Sequence, residues 1–202
     1  MPRLSDKTRA DRRQHILTSA WGCFSRNGFH ATSMDDVIAA TGMSSSAVYR
    51  YFRSKDDLID ASADEALALV RDIFVRLLDE QPAPSPGQTL AIIVSELHGR
   101  TQHPDYDLTR LALQTWAEAV RRPLLAARTR ALYHDTRELL ATLTARWKTD
   151  GHLPADADSD AAAAVVFALM HGLLVCHHLG ADVALSELTR GIGALGAGLG
   201  GN

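Results

Sequence analysis

The stretch TSMDDVIAATGMSSSAVYRYFRSK, Thr32 to Lys55, decides the fold of this chain. It reads as two short helices joined by a tight turn at Gly42, where the chain must reverse and a residue that tolerates positive φ is favoured. Ser33 and Asp36 have the spacing of a capping box at the start of the first helix, with Asp standing where Glu or Gln is usual. This pattern predicts a helix-turn-helix.

The second of these helices carries the residues that indicate nucleic-acid binding. Ser44 or Ser45 is expected to cap it, and Ala47, Val48 and Phe52 are expected to pack inward. Small hydroxyls, phenols and a guanidinium are left on the exposed side, and these groups bond base edges and phosphates. The residues expected to face outward are Ser45, Ser46, Tyr49, Arg50 and Tyr51.

The same segment resembles the DNA-binding region of the TetR family of bacterial transcriptional regulators. The resemblance rests on Gly42–Ile59 (GMSSSAVYRYFRSKDDLI), on the preceding ATSMDDVIAAT and on Ala20–Phe29 (AWGCFSRNGF). It implies an all-α fold of about nine helices. In that fold a three-helix DNA-binding domain, residues 1–54, precedes a helical bundle for ligand binding and dimerisation, residues 55–202.

The resemblance also implies a function. The chain is expected to be a ligand-responsive regulator, and more specifically a repressor, that binds a palindromic operator in double-stranded DNA as a dimer and is released when a small molecule binds the C-terminal domain. The positions that match the family's DNA contacts are Ser44, Ser45, Tyr49, Arg50 and Lys55, with Thr32 or Ser33 reaching a phosphate and with Ser46 and Tyr51 completing the set.

Two of these residues carry specific expectations. Arg50 is expected to read a base, because a guanidinium bonds the edge of a guanine in bidentate fashion. Tyr51 is expected either to grip a phosphate or to bury its ring against the first helix.

Charge is distributed unevenly along the 202 residues, although the net charge of −3 does not by itself indicate nucleic-acid binding. Residues 1–55 contain nine Lys and Arg against four Asp and Glu, a net charge of +5. Residues 56–202 contain twelve against twenty, a net charge of −8. A solvated basic helix is the alternative for the arginines near the N-terminus. The coincidence of the basic part with the helix-turn-helix favours phosphate binding.

The rest of the chain shows helical periodicity and no alternating strand pattern. The first helix is expected at 7–27 and to stop at Gly28. The stretch QPAPSPGQ, residues 81–88, is expected not to be helical because it contains three prolines. The remaining helices are expected at approximately 55–80, 89–101, 107–121, 123–149, 159–180 and 184–197.

The last two helices predict a homodimer. Helix 159–180 is apolar on more than one face, and the apolar residues of helix 184–197 recur at spacings of three and four. A four-helix interface between two chains is the favoured interpretation, and burial within one chain is the alternative. The predicted interface residues are Val166, Met170, Leu173, Leu174, Leu185, Leu188, Ile192 and Leu195.

Candidate ligand-pocket residues combine apolar walls with a few polar anchors, as binding pockets do. Ordinary core packing is the alternative for each of them. Few charges fall at inward positions, which favours a mainly apolar, neutral effector. The candidates are Phe74, His98, Gln114, Trp116, Trp147, Met170 and His171.

No catalytic or cofactor fingerprint is present, neither G-x-S-x-G nor H-E-x-x-H, nor a phosphate loop or a dinucleotide motif. We therefore predict no cofactor and no enzymatic activity. No metal site is predicted either, because the nine histidines do not join cysteines or carboxylates at ligand spacing. Two alternatives remain: a helix-turn-helix regulator without a small-molecule ligand and, less favoured, an all-α enzyme.

The sequence also predicts a cytoplasmic location. Cys23 and Cys176 are expected to be reduced, buried thiols. The N-terminus lacks an apolar stretch of signal-peptide length, and three histidines interrupt the most apolar segment, residues 161–179. We therefore expect neither a membrane span nor a membrane partner.

Overall fold

The computed structural model describes residues 5–101, 103–181, 183–184, 186–188, 190–191 and 194. All regular secondary structure in these ranges is helical, which confirms the all-α class. Beyond α8 the backbone is helical at 186–188, 190–191 and 194, inside the range predicted for a ninth helix. The preceding helices are α1 (Asp6–Ala31), α2 (Met34–Thr41), α3 (Ser45–Tyr49), α4 (Lys55–Asp79), α5 (Pro86–Thr101), α6 (Leu108–Ala119), α7 (Pro123–Thr149) and α8 (Ser159–His178).

The described chain forms two compact units, each built from separate segments. The first unit comprises Met1–Leu69 and Arg100–Thr129, and the second comprises Val70–Gly99 and Arg130–Asn202. The first unit therefore contains the predicted DNA-binding domain together with the beginning of α4 and all of α6. A division of function after residue 54 stays a prediction.

The core of the first unit is centred on α1. Ile16, Leu17 and Phe24 of this helix are fully buried, and Val37 of α2 and Val48 of α3 are buried in the same cluster. Burying a side chain of this size contributes about 1.5–3 kcal/mol, so the helix-turn-helix is held by packing rather than by its short helices alone.

Gly28 interrupts α1, as its sequence predicts. Its φ of 83° and ψ of 163° are non-helical, and one further turn follows before the chain leaves the helix at Thr32. The amide of Gln114 on α6 bridges this break: it donates to the carbonyl of Phe24 at 3.0 Å and accepts from the N–H of Phe29 at 2.9 Å. A side chain distant in sequence thus satisfies backbone groups that the break would otherwise leave unpaired.

The second unit has its own core, in which Phe74, Trp147 and Met170 belong to one buried cluster. The indole N–H of Trp147 donates to the carbonyl of Pro84 at 2.7 Å. The guanidinium of Arg146 donates to the carbonyls of Leu78 and Glu80, at 2.6 and 2.9 Å, and so pairs backbone acceptors at the end of α4.

The prediction that residues 81–88 are entirely non-helical is wrong at its C-terminal end, because α5 begins at Pro86. Proline is well tolerated at the first position of a helix, where its missing N–H would have no partner. Ser85 and Gln88 form a capping box: the N–H of Gln88 bonds Ser85 Oγ at 3.3 Å, and the N–H of Ser85 bonds Gln88 Oε1 at 2.8 Å.

Candidate nucleic-acid interface

The start of α2 is held by the capping box that its sequence predicts. Ser33 Oγ accepts from the N–H of Asp36 at 3.1 Å, and Asp36 Oδ2 accepts from the N–H of Ser33 at 2.8 Å. The Ser33 N–H, and after it the Ser33 hydroxyl, hold the pKa of the Asp36 carboxyl below its ordinary value. The carboxylate therefore stays ionised and keeps α2 anchored at neutral pH.

The turn between α2 and α3 depends on Gly42, which ends α2 in the left-handed region with φ of 63° and ψ of 11°. Thr41 Oγ1 accepts from the N–H of Met43 at 3.1 Å, which fixes the first residue after the turn. These contacts determine the direction in which α3 leaves α2.

Helix α3 buries one side and exposes the other. Val48 has no exposed surface, and Phe52 just after the helix is buried and covered by the guanidinium of Arg13, 5.2 Å from the ring centroid. Tyr49 has 43% of its surface exposed, a large fraction for an aromatic residue. The residues predicted to bind DNA that lie on this exposed surface are Ser44, Ser45, Ser46, Tyr49 and Arg50.

Ser44 occupies the position before α3, yet its side chain makes no hydrogen bond to the helix backbone. Its Oγ lies 3.3 Å from that of Ser46, on the solvent side. One of these two hydroxyls donates to the other, and the accepting hydroxyl keeps its own proton for an external acceptor.

Tyr51 and Lys55 are only partly exposed. The ring of Tyr51 packs against the core of the first unit, which is the second of the two positions expected for it, and the guanidinium of Arg50 lies 5.6 Å from the ring centroid. Lys55 Nζ donates to the carbonyl of His30 at 3.2 Å. An ammonium group has three N–H donors, so this bond leaves Lys55 able to contact a phosphate.

The expectation for Thr32 is wrong, because only 1% of its surface is exposed. Its hydroxyl lies 2.8 Å from the carbonyl oxygen of Gly28 and 3.3 Å from that of Cys23, and it donates to these acceptors. Thr32 thus stabilises the end of α1, and Ser33 is the exposed residue of the pair.

Three carboxylates on one face of α4 meet two arginines that flank the start of α7, and we refer to these five residues as the acid–arginine ladder. Arg122 lies 3.1 Å from Asp60 and 3.5 Å from Asp56. Arg128 lies 3.4 Å from Asp64 and 3.7 Å from Asp60. The ladder ties the N-terminal half of α4 to the start of α7, and it was not predicted from the sequence.

The seven predicted pocket residues do not form one group. Gln114 and Trp116 belong to the first unit, whereas Phe74, Trp147 and Met170 belong to the core of the second. Both polar faces of the Gln114 amide and the indole N–H of Trp147 are already bonded to backbone, so neither is a ready anchor for a ligand. The side chain of His98 lies outside the described residues.

His171 does lie among aromatic neighbours, and we name Tyr133, Phe167 and His171 the aromatic cluster. Their ring centroids are 4.3–5.0 Å apart, and all three side chains are half-buried. His171 Nδ1 lies 2.7 Å from the carbonyl of Phe167 and must donate to it. Burial lowers the pKa of His171, so the ring is uncharged at neutral pH. Tyr133 and Phe167 were missed because a helical pattern alone does not reveal which side chains meet across two helices.

Three of the predicted dimer residues on α8 are buried within the single chain, and the dimer interface itself stays a prediction. Val166, Met170 and Leu174 are buried within their own unit, while Leu173 and Leu188 are half-buried. The predicted residues Leu185, Ile192 and Leu195 lie outside the described residues. The exposed apolar residues of the helix instead recur at spacings of four and three, and we name them the α8 stripe: Ala161, Val165, Ala168, Gly172, Val175 and Leu179.

Two features of the described residues bear on the metal site and the membrane span that the sequence did not predict. His134, Asp135 and Glu138 on α7 present ligand atoms within 4.8 Å of one another, a spacing that the sequence analysis overlooked. All three are exposed, and exposed acidic groups of this kind are common without a metal. Among the described helices, α8 alone is long and apolar enough to cross a membrane, with a mean hydropathy of 1.8. Apolar helices of soluble proteins meet the same criterion.

Both parts of the chain match families of known regulators. Residues 16–62 match the family described as bacterial regulatory proteins, tetR family. Residues 86–193, more than half of the chain, match the C-terminal region of the BetI-type transcriptional repressor. The transcriptional regulator UidR of Escherichia coli (strain K12) is 25% identical over 182 residues, which cover 88% of this chain and 84% of UidR.

Solved structures share the fold of this chain. Salmonella enterica GusR is 28% identical with a TM-score of 0.65, and the match covers 81% of this chain and 82% of GusR. A transcriptional regulator from Saccharomonospora viridis, solved in complex with choline, is 21% identical with a TM-score of 0.73, and the match covers 92% and 95% of the two chains.

Proposed function

The chain belongs to the TetR family of bacterial regulatory proteins, and from this we propose that it is a repressor which binds a palindromic operator as a dimer. The single observation that carries the proposal is the exposed polar surface of α3, presented by a helix-turn-helix in which the capping box of α2 and the turn at Gly42 are both formed. The relative UidR is a transcriptional regulator, which supports a regulatory rather than an enzymatic role. We place its action in the cytoplasm, where bacterial DNA lies.

In the proposed complex α3 enters the major groove. Arg50 reads a guanine edge, while the hydroxyls of Ser44, Ser45 and Ser46 and the phenol of Tyr49 contact neighbouring bases and phosphates. Ser33 and Lys55 contact the DNA backbone, and the partly exposed Tyr51 has its role in packing. Thr32 is omitted because its side chain is buried.

Dimerisation is proposed through the α8 stripe. Val165 has 55% of its surface exposed, and the stripe contains only Ala, Gly, Val and Leu. Small residues let two helices approach closely, and an apolar face of this length needs to be covered. A dimer with two-fold symmetry would present its two α3 helices about 34–36 Å apart, one turn of B-DNA.

The proposed effector is a small, mainly apolar molecule bound in the second unit at the aromatic cluster. Phe167 packs against the core that contains Phe74 and Met170, so a ligand at the cluster would meet apolar walls. A quaternary ammonium compound is the second candidate, because ring faces attract such cations and the His171 ring is neutral. The choline bound to the Saccharomonospora viridis regulator makes this candidate worth testing.

The function is tested in two steps with the purified protein. Fragments selected from the genomic DNA of the source organism are expected to share a palindrome that the protein protects in a footprint. Calorimetry with choline and with neutral apolar compounds, repeated on the operator complex, is expected to find a compound that weakens operator binding. Selection of no common sequence would refute the DNA-binding proposal, whereas operator binding that no compound alters would favour a regulator without a small-molecule effector.

A further inference from the structure

We propose that a groove between α1 and α3 holds a backbone phosphate of the operator, which adds α1 to the helices that contact DNA. The groove has a volume of about 490 Å³ and opens to solvent. One wall is formed by Thr8, Asp11, Arg12 and His15, which share one face of α1, and the other wall includes Ser44. This inference rests on the proposed function and adds a phosphate site to it.

A hydrogen bond beside the groove joins α1 to the end of α2. His15 Nε2 lies 2.9 Å from the carbonyl oxygen of Thr41, at the end of α2. A carbonyl oxygen only accepts, so Nε2 carries the proton in this bond. The first turns of α1 are therefore held at a set distance from the turn that leads into α3.

The groove also contains donors that suit a phosphate. Arg12 is exposed, and a guanidinium bonds two phosphate oxygens in parallel. The Ser44 hydroxyl lies on the opposite wall and makes no capping bond to α3. Donors on both walls match an anion whose oxygens point in several directions.

The net positive charge of the N-terminal turns of α1 also favours a bound phosphate. Lys7, Arg9, Arg12 and Arg13 are all exposed, and they outnumber the acidic residues of the same turns, Asp6 and Asp11. Asp11 itself lines the groove, so its carboxylate opposes a bound phosphate. Neutralising Arg12 and neutralising Asp11 are therefore expected to change DNA affinity in opposite directions.

The groove is continuous with the surface proposed to read DNA. Ser44 is both a wall of the groove and the residue before α3, so a phosphate in the groove would belong to the strand beside the major groove that α3 enters. We therefore identify the occupant as a phosphodiester of duplex DNA rather than a free anion.

The test compares operator affinities of full-length variants over a series of salt concentrations. Arg12→Gln is expected to weaken operator and non-operator DNA alike, by about ten-fold at low salt, and to reduce the salt slope by about one ion. Asp11→Asn is expected to tighten binding several-fold. Arg26→Gln is the matched control, because this exposed arginine lies on the same helix about 21 Å further along.

A second measurement identifies the phosphate itself. Single operator phosphates are replaced in turn by neutral methylphosphonates, and one replacement is expected to weaken the wild type but not Arg12→Gln. Equal effects of Arg12→Gln and Arg26→Gln, or the absence of such a phosphate, would overturn the inference while leaving operator binding intact. Inorganic phosphate that competes at millimolar concentration in the wild type but not in Arg12→Gln would instead indicate a site for a free anion. If the folded wild type bound no operator, the proposed function itself would fail.

Discussion

Gly42 is the residue that sets the direction of α3, and its role is one of backbone conformation. Its φ is 63°, yet a Cβ atom added there would meet nothing within 4 Å. The cost of a side chain at this position is therefore conformational rather than steric.

Gly42→Ala is expected to lower the free energy of unfolding by about 1–2 kcal/mol, and Gly42→Asn by less, because Asn tolerates the left-handed region. Urea denaturation measures both. Gly87→Ala is the matched control, since a Cβ there is equally uncrowded but φ is not positive. An equal loss in the Gly87 variant would show that the backbone argument is wrong.

Arg50 is the residue on which base specificity is proposed to depend. Arg50→Ala is expected to cost about 1–3 kcal/mol of operator affinity and to relax preference at one base pair. Footprinting and competition with single-base operator variants measure this effect. Arg50→Lys, which keeps the charge but loses the bidentate geometry, is expected to retain phosphate attraction without the preference. Unchanged sequence preference in the Arg50→Ala variant would show that Arg50 does not read a base.

Burial of His171 is expected to make the folded protein less stable as the pH falls. Burial lowers its pKa from the ordinary value of 6.5, so the unfolded chain binds the proton more readily than the folded one. The stability that His171 contributes is complete above pH 6.5 and is lost as the pH falls below it.

The urea midpoint of the wild type is accordingly expected to fall more steeply between about pH 7 and pH 5 than that of His171→Phe, which keeps an aromatic ring but cannot titrate. Parallel pH profiles of the two proteins would contradict the burial of a neutral imidazole.

At the scale of elements, the acid–arginine ladder joins α4 to the start of α7 through pairs of unequal burial. Arg122 and Asp60 have side-chain exposures of 27% and 28%, whereas Arg128 and Asp64 have 49% and 58%. Solvent screens the second pair more strongly, so the two pairs are expected to contribute differently.

A double-mutant cycle with Asp60→Asn and Arg122→Gln is expected to give a coupling energy of about 0.5–1 kcal/mol, reduced by added salt. The same cycle with Asp64→Asn and Arg128→Gln provides the control and is expected to give a value nearer zero. Equal coupling energies in both cycles would mean that burial does not determine the strength of the ion pairs in the ladder.

The elements also show which features the sequence could predict. The helix-turn-helix was predicted because its signals, Ser33, Asp36 and Gly42, act over a few residues along the chain. The start of α5 was misplaced because three prolines outweighed the capping pair Ser85 and Gln88.

Features that depend on distant residues were not predictable in the same way. Gln114 was predicted to anchor a ligand because its side chain is polar. Its amide instead bonds the backbone on both sides of the break at Gly28, 86 positions earlier in the chain. Helix α8 is apolar on several faces, so periodicity could not decide which face its own chain covers.

At the scale of the whole molecule, operator binding is proposed to require two chains joined at the α8 stripe. Ala168→Arg introduces a charged side chain at the middle of the stripe, at a position that the single chain leaves exposed. The variant is expected to sediment as a monomer with wild-type helical content and to bind the full palindrome at least ten-fold more weakly.

Ala145→Arg, at an exposed alanine of α7, is the control and is expected to sediment as the wild type does. A dimeric Ala168→Arg variant would exclude the stripe as the contact between chains.

The composition of the α8 stripe has a consequence for cells that encode several related regulators. Between Ala161 and Leu179 the sequence contains no Asp, Glu, Lys or Arg, so the stripe lacks the charges by which paired helices commonly reject the wrong mate. In the proposed dimer, a paralogue with an equally small and apolar helix would be accepted in place of an identical subunit. Such heterodimers would carry two different helix-turn-helix segments. They would recognise asymmetric DNA sequences that neither homodimer binds.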